Sequence, residues 1–281
     1  MKCYLCGGGF KTRKGIVRDR PELRIMECFN CGLVQLDSFE HIRPGFYEGS
    51  GMHGPNQVSM DSWLRDTERD DRRRFEMLMP ILPNRRVLDF GCGAGGFLQR
   101  ARDLATEVVG VELEERVRSY WEGRIQIVAD LDQAGDEWDL ITAFHVVEHL
   151  PDPICILKKM GARLSENGRL FLEVPSASDA LLILYESDDF QNFTYWSQHL
   201  FLFTSDTLRQ LAERAGLKVL SIQQYQRYPL SNHLYWLSKG KPGGHQAWSF
   251  LDSHDLSAAY GAALASIGQC DTLIAHLQQA D

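Results

Sequence analysis

From residue 86 onward, short apolar segments alternate with longer segments in which apolar residues recur at helical spacing. Such an alternation is typical of a doubly wound α/β domain, in which helices cover both faces of a mostly parallel sheet. The pattern predicts seven strands, at 86–90, 107–112, 125–129, 138–144, 168–174, 218–224 and 233–238. It predicts helices between them, notably at 95–104, 114–121, 153–164 and 204–215. In such a domain, ligands bind at the carboxyl ends of the strands.

The segments on either side of this region have different patterns. A glycine-rich stretch at 46–55 precedes a polar helix predicted at about 59–79, and the two could form either a lid over a ligand or a linker. From about residue 255 to residue 277, apolar residues near helical spacing predict a helical tail. Such a stripe either packs on its own domain or pairs two subunits, so a homodimer formed through the C-terminal helix is one of two open alternatives.

Four of the seven cysteines form two Cys-x-x-Cys-Gly motifs, Cys3 with Cys6 and Cys28 with Cys31. Two such turns can place four thiolates around a tetrahedral Zn²⁺ ion. The alternatives are free thiols or a redox pair, but a redox motif is expected within a βαβ unit, which is not predicted here. The sequence therefore predicts structural zinc in an N-terminal ribbon. The predicted units are a zinc ribbon at 1–45, a mobile linker and helix at 46–82, a core at 83–240 and a helical tail at 241–281.

Composition and charge narrow the class of protein. The chain has 281 residues, of which 44% are hydrophobic, and a formal net charge of −8. It contains no apolar stretch approaching the roughly 20 residues of a membrane helix and no secretory signal at its start, so a cytoplasmic location is expected. Nucleic acid is an unfavourable partner, because binding to its backbone depends on Lys and Arg. The basic run 72–74 lies among Asp and Glu and is interpreted as a solvated helix face.

The segment VLDFGCGAGGFL, at 87–98, contains the pattern G-x-G-x-x-G, which is common in dinucleotide-binding turns. Asp89, however, lies two residues before the first glycine, at the exit of the first strand. Its carboxylate would repel a diphosphate held at the helix N-terminus and would attract a ligand with a cationic amino group. The sequence therefore favours S-adenosylmethionine over a dinucleotide. Glu112 ends the second strand and could bind ribose hydroxyls, and Asp130 ends the third strand, where it could meet an adenine edge.

Four segments, VLDFGCGAGGFL, VVGVELEE, DLITAFHVVEHLPDP and LSENGRLFLEVPS, resemble in order and spacing the successive motifs of class I S-adenosylmethionine-dependent methyltransferases. The resemblance covers about residues 86–240. It implies a seven-stranded sheet whose last strand is antiparallel, a cofactor whose methionine end lies at the glycine turn, and a histidine beside the sulfonium. The cofactor-binding residues implied are Asp89, Gly91, Cys92, Gly93, Glu112, Leu113, Asp130, Leu131 and His145.

A methyltransferase must align its acceptor, exclude water and, where needed, remove a proton from the acceptor. Three histidines are candidate catalytic residues. His145 ends the fourth predicted strand, where it either acts as a base or packs against the cofactor. His149 lies just before a predicted helix start at Asp152 and Pro153, which favours a structural role for it. His199 lies in the insertion after the fifth strand, which often forms a substrate wall in this family.

Polar residues in the same insertion and after the sixth strand are the candidate substrate ligands: Tyr195, Arg227, Asn232 and His233. Their hydroxyl, amide and ring N–H groups suit the hydroxyl, carboxylate or phosphate groups of a small molecule. The aromatic residues around Tyr195 either line a pocket or form core, and the segment that follows Arg227 could equally be a plain hairpin.

The segment CFNCGLVQL, followed by a tyrosine-containing linker and the core, resembles the zinc-ribbon sugar C-methyltransferases. This resemblance implies a nucleotide-linked sugar as acceptor, in polysaccharide biosynthesis. The likeness ends before the C-terminus, where about 40 residues stand in place of a further α/β domain, so the acceptor atom stays open among carbon, oxygen and nitrogen. The alternatives are an RNA or protein methyltransferase that uses the ribbon to bind its substrate, and a non-catalytic cofactor-binding module.

Overall fold

A computed structural model describes residues 2–43, 45–48 and 58–280. Its strands are β1 Phe10–Thr12, β2 Ile25–Cys28, β3 Val34–Leu36, β4 Arg86–Phe90, β5 Glu107–Val111, β6 Gln126–Val128, β7 Trp138–Phe144, β8 Leu164–Pro175, β9 Phe201–Leu202, β10 Leu217–Tyr225 and β11 Thr272–Gln279. Its helices are α1 Met60–Leu78, α2 Gly96–Ala101, α3 Glu115–Trp121, α4 Pro153–Gly161, α5 Ala180–Ile183, α6 Asp188–Thr194, α7 Ser205–Arg214, α8 Leu230–Lys239, α9 Gly244–Ala247 and α10 His254–Ser266. Across these described ranges, no helix combines the length and apolarity that crossing a bilayer requires.

The central sheet has seven strands in the order β6-β5-β4-β7-β8-β11-β10. Strands β4 to β8 pair in parallel, and β11 is antiparallel to both of its neighbours, β8 and β10. The predicted doubly wound α/β sheet with one antiparallel strand is therefore confirmed. The strand order reverses between β4 and β7, and at such a switch point the loops that follow the strands diverge and leave room for a ligand.

The identity of the last strand was predicted wrongly. Residues 233–238, expected to form a strand, belong to helix α8, which buries Asn232, His233 and Trp236 along one side. The predicted helical tail ends at the turn that contains Gly268, whose φ is +70°, and residues 272–279 then form β11 in the interior of the sheet. Residues 272–279 therefore cannot belong to a helix that pairs subunits. Both hydrogen-bonding edges of β11 are occupied within the sheet, by β8 and by β10.

The N-terminal segment forms a second, four-stranded sheet in the order β1-β2-β3-β9. Its last strand, β9, comes from the segment between β8 and α7, so the two sheets are tied together through the chain. Apolar residues of both sheets share one core, in which Leu33, Phe201 and Leu170 are fully buried. The ends of the predicted N-terminal ribbon and of the other units stay predictions.

Local sequence signals predicted several helix starts correctly. The carboxylate of Asp152 accepts a hydrogen bond from the Cys155 amide, 3.2 Å away, and Pro153 opens α4. Thr204 and Thr207 form a reciprocal capping box at the start of α7. The polar helix expected at 59–79 is α1, which begins after the side-chain cap of Ser59. The glycine-rich segment at 46–55, for which a lid and a linker were both open, lies mostly outside the described residues.

Candidate active site

A cavity of about 760 Å³ lies at the carboxyl edge of the parallel strands. Its size is typical of sites that enclose a small molecule. We call two parts of its lining the glycine-turn wall and the aromatic wall. The glycine-turn wall consists of Asp89, Gly91, Cys92, Gly93, Glu112, Leu113, Asp130 and Leu131. The aromatic wall consists of Tyr47, Phe190, Phe193, Trp196 and Trp236, and Arg18 also lines the cavity.

The turn after β4 brings the backbone close to its neighbours. Gly91 has a φ of +69°, and a Cβ atom at this position would lie 2.5 Å from the Val146 side chain. The amides of Gly91 and Cys92 both donate to the Val111 carbonyl, at 2.8 and 3.1 Å. Any larger residue at position 91 would therefore be strained and would collide with the Val146 side chain.

Asp89, at the end of β4, is almost fully buried and lines the cavity. Burial raises the pKa of its carboxyl group to about 7, although the hydroxyl of Thr142 donates to it from 2.7 Å and opposes that rise. A carboxyl group with this pKa is only partly ionised at neutral pH. A cationic ligand beside it would hold it in the charged form.

Glu112, at the end of β5, is oriented by backbone amides. Gly93 donates to one carboxylate oxygen from 2.9 Å and Glu114 donates to the other from 3.1 Å. Burial raises the pKa of Glu112 despite these two hydrogen bonds. Asp130, which follows β6, accepts a hydrogen bond from the Asp132 amide at 2.8 Å. The ends of three neighbouring strands thus bring three acidic side chains to one cavity.

His145 follows β7 and lies between two buried glutamates. Its Nδ1 lies 3.1 Å from Oε1 of Glu148, and its Nε2 lies 3.1 Å from Oε1 of Glu173. Burial alone would lower the pKa of His145, but the two carboxylates outweigh burial and raise it. Arg73 and Arg74 donate to the same Oε1 atom of Glu173, from 2.8 and 2.9 Å. His145 is therefore part of a charged network, and each of its ring nitrogens lies within ion-pair distance of a carboxylate.

His149 and His199 face each other in the cavity, with ring centroids 5.0 Å apart. Nδ1 of His149 lies 2.8 Å from the Gln198 carbonyl, an arrangement that leaves Nε2 as an acceptor. Burial lowers the pKa of both imidazoles, to about 3 for His199. The pKa of Glu148 is also below its usual value, because the nearby histidines outweigh the effect of its burial. The ligand atoms of Glu148, His149 and His199 all lie within 4.8 Å of one another. The group could transfer a proton or hold a divalent cation.

The candidate substrate ligands separate into two groups. Arg227, Asn232 and His233 line the cavity, and the Arg227 guanidinium forms a paired contact with Asp70, with Nε 3.0 Å from each carboxylate oxygen. Tyr195 does not line the cavity: it is buried in the core beside Gly15, because the chain turns its side chain towards the N-terminal sheet. The expectation that Tyr195 contacts substrate is therefore corrected.

The basic run 72–74 was interpreted as a solvated face, which holds only for Arg72, whose guanidinium pairs with Glu68 at the surface. Arg73 and Arg74 point inward to Glu173, which is fully buried in β8. The charged residue inside the apolar run LFLEV was the signal for this network, because a buried carboxylate needs partners.

The four N-terminal cysteines converge as their spacing predicts. All four Sγ atoms lie within 4.8 Å of one another, with Cys3 and Cys31 at 3.6 Å and Cys6 and Cys28 at 3.4 Å. Thiolates that each bind zinc at about 2.3 Å in a tetrahedron lie about 3.8 Å apart. The amide of Asn30 points at Cys28 Sγ from 3.4 Å. The donor set therefore fits a structural zinc ion.

The sheet order, the single antiparallel strand and the acid-lined glycine turn define the class I methyltransferase fold. The sequence profile described as "Methyltransferase domain" matches residues 61–222, which is more than half of the chain. The chain therefore belongs to this family. The fold is shared with a solved S-adenosylmethionine-dependent methyltransferase from Archaeoglobus fulgidus, at a TM-score of 0.52 and 18% identity over 82% of this chain and 99% of that chain.

Two curated relatives are both named ubiquinone biosynthesis O-methyltransferase. That of Xanthomonas campestris is 31% identical over 54% of this chain and 64% of its own length. That of Aeromonas salmonicida is 25% identical over 72% of this chain and 89% of its own length. The chain thus spans a little less than two thirds of the first relative.

Proposed function

We propose that this protein transfers a methyl group from S-adenosylmethionine to a hydroxyl oxygen of a small molecule. The observation that carries the proposal is the placement of Asp89 in the same cavity as His149 and His199. A carboxylate at the glycine turn favours a cationic cofactor, and two neutral imidazoles on the same cavity suit removal of a hydroxyl proton. Membership of the methyltransferase family supports this combination.

The glycine-turn wall offers the groups that this cofactor requires. When bound, S-adenosylmethionine supplies a methyl group already activated on a sulfonium. Asp89 would face its amino group, Glu112 its ribose hydroxyls and Asp130 its adenine. Because Gly93 and Glu114 already hold the Glu112 carboxylate by hydrogen bonds, this acid is oriented before a ligand arrives.

Proton removal falls to His199 in this proposal. One of its ring nitrogens, Nδ1, makes no hydrogen bond to any part of the chain that the structure describes, so its lone pair can accept a proton. Glu148 behind the histidines is ionised, so it stabilises an imidazole that takes up a proton. His145 cannot act in this way without breaking its contacts with two carboxylates, and we assign it a positioning role.

The relatives' names and the aromatic wall favour a phenolic hydroxyl as acceptor, since aromatic side chains stack on a planar ring. The nucleotide-linked sugar suggested by the ribbon resemblance is the alternative small molecule. A macromolecular acceptor is less favoured, because the reactive residues line a cavity and the net charge of −8 opposes RNA.

Zinc completes the proposed set of ligands. We propose one structural Zn²⁺ bound by Cys3, Cys6, Cys28 and Cys31, on the strength of their convergence. Four protein thiolates leave no open coordination position, so this ion would stabilise the fold without taking part in the reaction.

The function is tested by release of S-adenosylhomocysteine from S-adenosylmethionine in the presence of defined acceptors. We expect turnover with phenolic acceptors such as catechol, and methylation at oxygen in the product. Turnover with a sugar nucleotide alone would identify the alternative acceptor. Binding of S-adenosylhomocysteine without turnover on either class would contradict the proposed activity and favour a cofactor-binding module.

The pKa of Asp89 makes a specific prediction about cofactor affinity. The ligand's ammonium group requires the ionised carboxylate, so below pH 7 binding must first remove a proton from Asp89. The dissociation constant of S-adenosylhomocysteine, measured calorimetrically, should therefore rise by up to about tenfold per pH unit as the pH falls below 7. Arg74 opposes this raised pKa, while Asp71 and Glu112 reinforce it.

Asp89→Asn should bind S-adenosylhomocysteine about tenfold or more weakly at pH 8 and should lose most of the pH dependence. The matched control is Asp132→Asn, because that carboxylate is exposed and does not line the cavity. An Asp89 variant with the pH profile of the wild type would show that another group controls cofactor binding.

A further inference from the structure

The N-terminal segment contributes one exposed residue, Arg18, to the lining of the cavity. Arg18 donates its backbone amide to the Tyr195 carbonyl at 3.0 Å. Its neighbour Asp19 accepts hydrogen bonds from the amide and the hydroxyl of Ser197, at 2.9 and 2.6 Å. Val17, on the other side, is fully buried. The backbone around Arg18 is therefore fixed on the segment that forms part of the aromatic wall.

The guanidinium of Arg18 lies over two rings of that wall, 4.8 Å from the centroid of Phe193 and 5.0 Å from that of Trp196. One of its N–H groups donates to the Phe193 carbonyl at 3.3 Å. A guanidinium has five N–H donors in a planar fork. Contact with two rings restricts the position of the guanidinium, and most of its donors are left for another molecule.

Arg18 differs from the other cations on the cavity wall in its charge environment. Three others are already paired with carboxylates, at 2.9, 3.0 and 3.6 Å: Arg74 with Glu173, Arg227 with Asp70, and Lys159 with Asp132. Among the residues that the structure describes, no carboxylate lies within ion-pair distance of the Arg18 guanidinium. The Arg18 residue is exposed, so its remaining N–H groups are accessible to a ligand that enters the cavity.

We propose that Arg18 binds an anionic group of the methyl acceptor, a carboxylate or a phosphate, while the aromatic wall binds the acceptor's apolar part. The inference rests on the proposed function and narrows its substrate class to acidic small molecules. A planar guanidinium suits both anions, because either can accept two parallel hydrogen bonds from it. The N-terminal segment thus contributes to acceptor specificity while the glycine-turn wall is built from the central sheet.

The test compares charged and uncharged probes of the same shape by calorimetry, with S-adenosylhomocysteine present. The carboxylate pair is 3,4-dihydroxybenzoate and catechol, and the phosphate pair is uridine diphosphate and uridine. We expect the wild type to prefer the anionic member of at least one pair by about tenfold or more. The pair that shows this preference identifies the source of the anion.

Arg18→Gln should remove that preference and leave the affinity for S-adenosylhomocysteine unchanged. Arg18→Lys keeps the charge but not the planar fork, so it should retain part of the preference for the anionic probe. This variant also tests the inference if Arg18→Gln folds poorly. The matched control is Arg20→Gln, because Arg20 is two residues away, exposed, and paired with the exposed Glu22. This control should behave as the wild type.

Two results would overturn the inference. One is a wild type that binds S-adenosylhomocysteine but shows no preference for either anionic probe. The other is an Arg18→Gln variant that keeps the preference in full. A wild type that fails to bind S-adenosylhomocysteine would instead overturn the proposed function itself, and this inference with it.

Discussion

Replacing His199 by alanine is expected to lower kcat by about 10²- to 10⁴-fold, the range typical of a lost general base. The neutral ring of His199 faces the cavity, and the ionised Glu148 lies behind it. Removal of the ring should therefore leave the acceptor hydroxyl protonated and a poor nucleophile. The affinity for S-adenosylhomocysteine should stay within about threefold of the wild type, because His199 belongs to neither the glycine turn nor the acids around it.

The pH profile separates a base from a structural role. With a phenolic acceptor, activity of His199→Ala should rise as the pH approaches the acceptor's own pKa, because hydroxide then supplies the ionised nucleophile. A variant that is merely distorted would stay inactive at every pH. The control is His254→Ala, since His254 is 95% exposed at the start of α10. A kcat for His199→Ala close to that of the wild type at pH 7 would refute its role as base.

Most of the fold could be predicted from the sequence, because apolar residues recur with different spacings in strands and in helices. The starts of several helices also have local sequence signals. The failure at the last strand has a physical cause. Residues 272–279 lie in the interior of the sheet and are mostly buried, so they lack the alternation that identifies a half-exposed strand. Apolar residues of such a strand can coincide with helical spacing, and only pairing with β8 and β10 distinguishes the two.

Site residues could be predicted from the sequence where they follow strands of the parallel sheet. Contacts between side chains that are far apart in the sequence could not be predicted. Asp89, Glu112 and Asp130 follow consecutive strands, so their convergence follows from the parallel sheet. The contact of Arg73 with Glu173 joins positions 100 residues apart, and no local pattern encodes it. Arg18 is harder still to predict, because it reaches the cavity only through the packing of the N-terminal sheet on residues 193–197.

Zinc removal should have the largest structural effect. Cys28→Ser is expected to lose the metal and the order of β1 to β3, because apparent binding energies of structural zinc are about 10–16 kcal/mol in small domains with four ligands. Elemental analysis should find one zinc per wild-type chain and much less than one in the variant. Cys155→Ser is the control, since Cys155 is an exposed thiol outside the cluster.

Loss of zinc should weaken binding of the acceptor but not binding of the cofactor. Strand β9 pairs with β3, and the segment at residues 18–19 holds the backbone of residues 195–197. Loss of the N-terminal sheet should therefore displace Trp196 and His199 and raise the KM for the acceptor, while the glycine turn continues to bind S-adenosylhomocysteine. Full zinc occupancy in Cys28→Ser would refute the metal assignment. Equal losses of cofactor and acceptor binding would show instead that the two sheets fold as one cooperative unit.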